Sequence, residues 1–293
     1  MDQDAAEVIV TQSRQGCVPL RPLGVTDILD GSFRAMRRNP RAIFGPAAVI
    51  AVVQVALISG MQLAASQFLT VVQLQLLGTL VISAVLGTVL GGFIAVVVTQ
   101  DVLGVKVTAW EVLTRLRGRI LGLCGLAVVI TLLEGLGLLA LVVVGVWLWG
   151  IWAVAVPAMV VERTTIRGAL SRSRQLTAGL FWRVWGVRAL AYLLASVLNL
   201  IVSIPFLALA SAVTSSSFLP DANSGSSAVY TLIIAVGSVL STTLTAPIRA
   251  GIDALLYVDL RMRREGLDIV LQQAARAQQP VAPVVSSQAR SAF

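Results

Sequence analysis

The acid in the most unusual setting is Glu134, because it lies inside an otherwise apolar run that covers residues 120–161. An ionised carboxylate in the hydrocarbon of a membrane is costly unless it is paired. We therefore expect Glu134 to be protonated or hydrogen-bonded. Two interpretations stay open, a polar clasp between helices and a site that handles protons or substrate in a transporter. The candidate partners in other apolar segments are Gln54, Asn199, Ser238, Ser241 and Thr242.

A second cluster of charge is the stretch LYVDLRMRREGLD, residues 256–268, which follows a long apolar run directly. Arginines just beyond a membrane helix attract anionic lipid, each by about 1 kcal/mol. We interpret the stretch first as the hydrophilic stop of a membrane helix, and second as a lipid patch. We also expect it to bind residues 27–34 and so to bring the two ends of the chain together. Charge reversal at Arg263 with compensation at Asp30 tests that contact.

Several classes of activity are excluded by residues that the sequence lacks. There is no histidine among the 293 residues, which excludes Ser-His-Asp hydrolases and histidine-containing metal sites. No G-x-x-x-x-G-K-[ST] phosphate loop is present. Cys17 and Cys124 form neither a metal-binding spacing nor a disulfide framework. We expect no catalytic residue, no metal and no cofactor.

The elements that must position these polar residues are membrane helices. The chain is 57% hydrophobic and 12% charged, whereas a soluble domain has about 25% charged residues. The run 120–161 would measure roughly 63 Å as one helix, twice the hydrocarbon thickness, so we predict a hairpin with its turn near Gly145. An all-α integral membrane protein follows, with six transmembrane helices at about 43–65, 76–98, 120–142, 146–161, 187–212 and 228–248.

The distribution of basic residues predicts the orientation of the spans. They fall at 14–41, 106–119, 163–188 and 249–290, and the connections on the opposite side contain none. Such partitioning is typical of an even number of spans with both termini in the cytoplasm. The predicted location is a bacterial inner membrane. The net charge of +8 therefore reflects cytoplasmic loops, and we expect no nucleic-acid partner.

Each helix that enters from the cytoplasm is preceded by a similar short, arginine-rich segment, at about 26–38, 108–118 and 165–178. Thr108 and Glu111 have the spacing of a capping box, which predicts a helix start. Three interfacial helices, each followed by a membrane hairpin, would form a 2+2+2 arrangement. The alternatives for these helices are anchoring in anionic lipid and docking of a cytoplasmic or membrane protein partner. The candidate contacts are Asp27, Asp30, Arg34, Arg37, Arg38, Arg172, Arg174, Arg261, Arg263 and Arg264.

Small residues recur every four positions in the second span. Such a face allows close approach of two helix backbones. It favours packing within one chain, and homodimerisation is the alternative, so the oligomeric state stays open. The residues are Ser83, Gly87, Gly91 and Ala95.

The remaining segments are two tails around the membrane domain. Residues 1–24 are polar and have no apolar core of a signal peptide. The six-span domain covers 25–277. Residues 278–293 are rich in Ala, Gln, Pro and Ser, a composition that predicts disorder.

Three stretches resemble the actinobacterial integral membrane proteins known as the glycerophosphoryl diester phosphodiesterase membrane domain. They are PLRPLGVTDILDGSFRAMRRNP at 19–40, AVPAMVVERTTIRGALSRSRQLTAGLFWRVWGV at 155–187, and the closing Asp-Leu-Arg-x-Arg-Arg-Glu-Gly-x-Asp pattern at 259–268. The resemblance covers nearly the whole chain. In the phosphodiesterases this domain accompanies a separate catalytic barrel that uses paired histidines and acidic metal ligands. A chain without histidine is therefore expected to be the membrane domain only.

Together these observations predict a non-catalytic membrane protein that acts as an anchor, scaffold or accessory subunit in an envelope or lipid-related assembly. The alternative is a transporter or transporter subunit with an intramembrane polar site around Glu134. A membrane hydrolase comes third, because the chain lacks a nucleophile–base constellation. The expected partners are anionic lipids of the cytoplasmic leaflet and a protein partner.

Overall fold

The computed structural model describes residues 23–65, 71–105, 107–213 and 225–266. The predicted tails, 1–24 and 278–293, lie almost wholly outside these ranges. Every regular element within them is an α-helix. In chain order the helices are α1 (Val25–Arg38), α2 (Pro40–Ala65), α3 (Val71–Val102), α4 (Ala109–Leu116), α5 (Ile120–Ala140), α6 (Val142–Ile151), α7 (Ala155–Val161), α8 (Ile166–Thr177), α9 (Phe181–Val213) and α10 (Gly225–Glu265).

Six helical segments are long and apolar enough to cross a membrane, as the sequence predicted. They are Pro40–Gln62, Gln75–Val102, Ile120–Ala140, Val142–Val161, Phe181–Val213 and Ala228–Glu265. The last two helices are longer than expected, because α9 begins at Phe181 and α10 continues to Glu265. With 41 residues, α10 measures about 61 Å, roughly twice the hydrocarbon thickness of a bilayer. Part of α10 must therefore lie outside the hydrocarbon.

The hairpin within residues 120–161 turns at Leu141, not near Gly145. Leu141 has extended backbone angles (φ −158°, ψ 124°) between the end of α5 and the start of α6. Gly145 lies inside α6, where a Cβ atom would approach the backbone of Leu138 to 2.9 Å. The predicted spans 120–142 and 146–161 are corrected accordingly. Glycine at this position permits close contact between α5 and α6 and does not form the turn.

The fourth span is interrupted, because α6 ends at Ile151 and α7 begins at Ala155. A break in a membrane helix leaves carbonyl groups without their usual donors, and they need other partners. The Ser173 hydroxyl of α8 donates to the carbonyl oxygen of Ile151 at 2.7 Å. Arg188 of α9 donates to the carbonyl oxygen of Trp149. Side chains of α8 and α9 thus satisfy the interrupted end of α6.

The buried core occupies one end of the helix bundle. We call this part the charged end; it consists of α1, α4, α7, α8, the starts of α2, α5 and α9, the end of α3 and residues 248–265 of α10. Ile252, Leu255 and Leu256 of α10 have no exposed surface. Toward the opposite end, large apolar side chains are exposed on every hairpin, as expected where helices face lipid. They include Leu57, Leu80, Leu139, Val143, Leu200, Ile204, Leu232 and Val236.

The short helices α1 and α4 pack on the bundle with one face and expose apolar residues on another, whereas the exposed face of α8 is polar. In α1, Ile28 and Met36 are buried, whereas Phe33 is exposed. Ser32 of α1 lies against Gly251 of α10, where a Cβ atom would be 3.2 Å from the hydroxyl. In α4, Trp110 is 71% exposed. The capping box is present, since the Glu111 N–H donates to the Thr108 hydroxyl and the Glu111 carboxylate accepts from the Thr108 N–H.

Candidate functional site: the polar seam between α9 and α10

The polar residues predicted to surround Glu134 do not form one site. Gln54 of α2 donates to the hydroxyl of Ser83 in α3 at 3.3 Å. Ser241 of α10 donates to the side-chain oxygen of Asn199 in α9. Each pair joins the two helices of one hairpin. Within the described part of the chain, Glu134 of α5 makes no hydrogen bond to any of them.

A row of polar contacts follows the line where α9 and α10 pack antiparallel. From the lipid-exposed part of the hairpin toward the charged end, four contacts follow one another. We call this row the polar seam. Its contacts are Asn199 with Ser241, Tyr192 with Arg249, Arg188 with Asp253, and Arg183 with Asp259.

Arg188 is the most enclosed cation of the polar seam. Its guanidinium lies 4.6 Å from the ring centroid of Trp149, and its Nε is 3.5 Å from Oδ1 of Asp253. A desolvated guanidinium needs both a counter-charge and hydrogen-bond acceptors, and an aromatic face adds to its stabilisation. Arg188 is also the basic residue whose charge acts on the carboxyl group of Glu134.

Arg249 has a different environment. Its guanidinium carbon lies 5.3 Å from the ring centroid of Tyr192, and the residue is half-buried. Asp253, four positions further along α10, is paired with Arg188, and the charge of Arg249 also acts on it. Among the residues that the structure describes, however, Arg249 has no carboxylate within ion-pair distance and no hydrogen-bond acceptor.

Asp259 is the most completely buried acid of the polar seam, with no exposed surface. Its carboxylate accepts from Arg263 at 2.9 Å, from Arg183 at 3.2 Å and from the backbone N–H of Leu23 at 2.8 Å. The carbonyl oxygen of Leu23 accepts from Arg263 at 2.9 Å and from Arg183. The closing stretch therefore does reach the amino-terminal segment. Among the described residues its partner is the backbone of Leu23, and no described hydrogen bond or ion pair joins it to Asp30 or Arg34.

A second ion-pair network fastens α7, α8 and α10 around Glu162. The carboxylate accepts from Arg172 at 2.8 Å and from the hydroxyl of Tyr257 at 2.8 Å. Arg172 also binds Glu265, which in turn accepts from Arg261 at 2.9 Å. Burial lowers the pKa of the Arg172 guanidinium, but its bonds to Glu162 and Glu265 outweigh that effect and raise the pKa above its usual value. Arg172 stays charged and binds both acids.

A third contact joins the start of α2 to the end of α3. Asp101 is 1% exposed. Its Oδ1 accepts from the side-chain nitrogen of Asn39 at 3.1 Å and lies 3.3 Å from Nε of Arg38. A buried carboxylate with two donors holds the turn between α1 and α2 against α3. The sequence contained little signal for this role, because a charged residue directly after an apolar run is also what an ordinary helix end would show.

The other predicted contact residues divide into two groups. Arg172, Arg261 and Arg263 are engaged in ion pairs. Asp27 is also engaged, since it accepts from the backbone N–H of Gly24 at 3.0 Å and so caps α1. Arg38 is exposed and pairs with Asp101. The remaining residues, which are exposed at the surface of the charged end, are Asp30, Arg34, Arg37, Arg174 and Arg264.

The row of small residues in α3 contacts the protein along part of its length. Ala95 is buried, and a Cβ atom at Gly91 would lie 3.6 Å from Val156 of α7. Gly87 is exposed, and a Cβ atom there would meet nothing within 4 Å. Ser83 binds Gln54. This face of α3 therefore packs within the chain at Gly91 and Ala95, and it is open at Gly87.

Within the described ranges, no three His, Cys, Asp or Glu side chains are grouped so that they could hold a metal ion. The polar seam consists instead of guanidinium groups, carboxylates, aromatic rings and hydroxyls, which suit the recognition of anions and the joining of helices. Comparison with models of protein families, with curated proteins and with solved structures found no match to the chain.

Proposed function

We propose that the protein is a non-catalytic, multi-pass protein of the bacterial inner membrane that acts as an anchor, scaffold or accessory subunit in an envelope or lipid-related assembly. In this proposal both termini are cytoplasmic, the six spans form three hairpins in a 2+2+2 arrangement, and α1, α4 and α8 lie on the cytoplasmic side. The one-sided distribution of arginine supports the orientation. The resemblance to the phosphodiesterase membrane domain, without the histidines of its catalytic partner, supports a role without chemistry.

The observation that carries the scaffold role is the use of buried and half-buried acids at the charged end. Asp101, Asp253 and Asp259 each pair with an arginine of another helix, and Glu162 joins α7 to both α8 and α10. Removing one partner of a buried ion pair is strongly destabilising. These contacts therefore hold the helices in one arrangement, which supports a rigid platform.

The platform presents an exposed polar face on α8. Arg167, Ser171, Arg174 and Gln175 are exposed, whereas Ala169, Ser173 and Leu176 on the opposite face are buried. A partner with an acidic surface would complement the two arginines. Exposed Phe33 and Trp110, near the arginines of α1 and α4, support contact of the same end with anionic lipid.

Site-specific photo-crosslinking in intact cells tests the scaffold role. A photoreactive amino acid at Ser171 or Gln175 is expected to give a discrete protein adduct. The same group at lipid-facing Leu200 should give none. Reversing the charge of Arg167 and Arg174 together should abolish the adduct, because the partner is bound through that face. The proposal would be contradicted if the same adduct formed after the charge reversal, or if the photoreactive group at Leu200 gave an equal amount of adduct.

The second candidate function is transport. It is favoured by the enclosed ion pair of Arg188 and Asp253, because the charge of Arg188 also acts on the carboxyl group of Glu134. Ionisable groups inside a membrane protein commonly mark a substrate or ion path. Flux assays in liposomes separate the two functions. Uptake or flipping that Glu134→Gln abolishes would establish transport, whereas the scaffold role predicts no flux above that of protein-free liposomes.

A further inference from the structure

Arg249 has N–H donors that make no hydrogen bond to the residues that the structure describes. A guanidinium presents five N–H donors in a fixed plane. Arg249 rests on the ring of Tyr192, with 5.3 Å between the guanidinium carbon and the ring centroid. No acceptor among the described residues bonds to its N–H groups, and Asp253 is engaged with Arg188. A half-buried guanidinium without acceptors binds an anion favourably.

Two hydroxyl groups continue the same face of α10 toward the lipid-exposed part. Thr242 and Ser238 precede Arg249 by seven and eleven positions, which is close to two and three helical turns. Both are half-buried. Neither donates a hydrogen bond to any group in the described ranges, unlike Thr243 and Thr245, whose hydroxyls bond to carbonyl oxygens of their own helix. This face of α10 therefore presents one guanidinium and two hydroxyl groups along the helix axis, and neither hydroxyl donates a hydrogen bond to a described group.

The position of Arg249 along α10 matches the phosphate level of a leaflet. Leu232, Val236 and Leu240 are exposed apolar residues, as expected in hydrocarbon. Arg249 follows Leu240 by about 14 Å of helix, and most residues from Ile252 to Met262 are buried in the charged end. Arg249 thus lies where the lipid-exposed part of α10 meets the charged end.

We propose that Arg249, Tyr192 and Thr242 form a binding site for the phosphate of an anionic phospholipid in the leaflet at the charged end. Arg249 donates two parallel hydrogen bonds to phosphate oxygens, and Tyr192 holds the guanidinium plane. Thr242 bonds to oxygens at the glycerol level. Exposed Val197 and Leu200 of α9 offer an apolar surface to the acyl chains. The site requires only that the helices span a membrane, so it is independent of the scaffold role.

Native mass spectrometry of the purified full-length protein tests the site. The delipidated protein is titrated with phosphatidylglycerol and, separately, with phosphatidylcholine. Phosphatidylglycerol is expected to bind at one site at least ten-fold more tightly than phosphatidylcholine. Arg249→Gln should weaken phosphatidylglycerol binding roughly ten-fold, the scale of losing a charge-assisted pair of hydrogen bonds. Arg41→Gln, at an exposed arginine near the start of α2, is the matched control and should bind as the unaltered protein does.

Two further variants keep the test decisive if Arg249→Gln folds poorly. Arg249→Lys keeps the charge but not the planar pair of donors, and it should retain part of the preference for the anionic lipid. Thr242→Val should weaken binding a few-fold at unchanged thermal stability. Equal affinity of phosphatidylglycerol for these variants and the unaltered protein would overturn the proposal. So would competition by millimolar inorganic phosphate, because the ligand would then be a soluble anion and not a lipid.

Discussion

The backbone N–H of Leu23 donates a hydrogen bond of 2.8 Å to the buried carboxylate of Asp259, which lies 236 positions later in the chain. The same carboxylate binds Arg183 of α9 and Arg263 of α10. One acid thus fastens the segment before α1 to the start of α9 and the end of α10. Because Asp259 is wholly buried, its charge is stabilised only while these donors stay in place.

Asp259→Ala should destabilise the protein by about 3–5 kcal/mol, because it leaves two arginines without their buried counter-charge. Asp259→Asn keeps an acceptor for the Leu23 N–H and should cost less. SDS-induced unfolding in mixed micelles measures both. Asp30→Ala, at an exposed acid of α1, is the control and should change stability by less than about 0.5 kcal/mol. A loss for Asp259→Ala no larger than that of the control would refute the role of this carboxylate.

Charge reversal at Arg263 should not be rescued at Asp30. Arg263 bonds to Asp259 and to the carbonyl oxygen of Leu23, while Asp30 is exposed and its carbonyl oxygen accepts from Arg34 within α1. Arg263→Asp alone places two carboxylates together and should lower expression of folded protein. The double variant with Asp30→Arg should be equally low by fluorescence-detected size exclusion. Recovery in the double variant would mean that the two side chains meet after all.

Hydropathy predicted the six apolar helices because lipid imposes length and composition on each span separately. The capping box at Thr108 was equally readable, since both of its members lie within one helical turn. The partners of the buried charges could not be predicted. Arg188 bonds to the carbonyl oxygen of Trp149, which is available to it because α6 breaks after Ile151. Contacts of this kind depend on how distant helices pack, which no local pattern encodes.

The hydrogen bond from Tyr257 to Glu162 should contribute about 1–2 kcal/mol to stability, because a bond to a charged acceptor is removed from a buried position by Tyr257→Phe. Its coupling to Glu162→Gln, measured as a double-mutant cycle in mixed micelles, should be of similar size. Tyr230 lies on the same helix and makes no hydrogen bond within the described ranges, so Tyr230→Phe is the matched control. Additive effects of Tyr257→Phe and Glu162→Gln would show that the bond contributes nothing.

The proposed orientation predicts opposite accessibility of two exposed positions. In a background with Cys17 and Cys124 replaced by Ser, a cysteine at Leu139, next to the α5–α6 turn, should react with a membrane-impermeant maleimide added outside spheroplasts. A cysteine at Ser171 on α8 should react only in inverted vesicles. The reason is the positive-inside rule, which assigns the arginines of α8 to the cytoplasm. Labelling of Ser171→Cys from outside would show that the orientation is the opposite of the proposed one.

Gly145 should tolerate no side chain, whereas Gly135 in the same hairpin should accept one. A Cβ atom at Gly145 would approach the backbone of Leu138 to 2.9 Å, and backbone atoms of a packed helix cannot rotate away. Gly145→Ala should therefore separate α5 from α6 and cost about 1–3 kcal/mol. At Gly135 no atom lies within 4 Å of a Cβ position. Gly135→Ala should be neutral or stabilise the helix by up to about 1 kcal/mol.

Unfolding in mixed micelles compares the two glycine variants directly, since both replacements add one methyl group to the same hairpin. A second observation supports the close contact between α5 and α6. A Cβ atom at Gly137 of α5 would lie 3.2 Å from the backbone nitrogen of Gly145. Gly137→Ala should thus behave like Gly145→Ala and unlike Gly135→Ala. If all three variants were equally stable, the two helices would not be held together by backbone contact at these glycines, and the turn at Leu141 would need another cause.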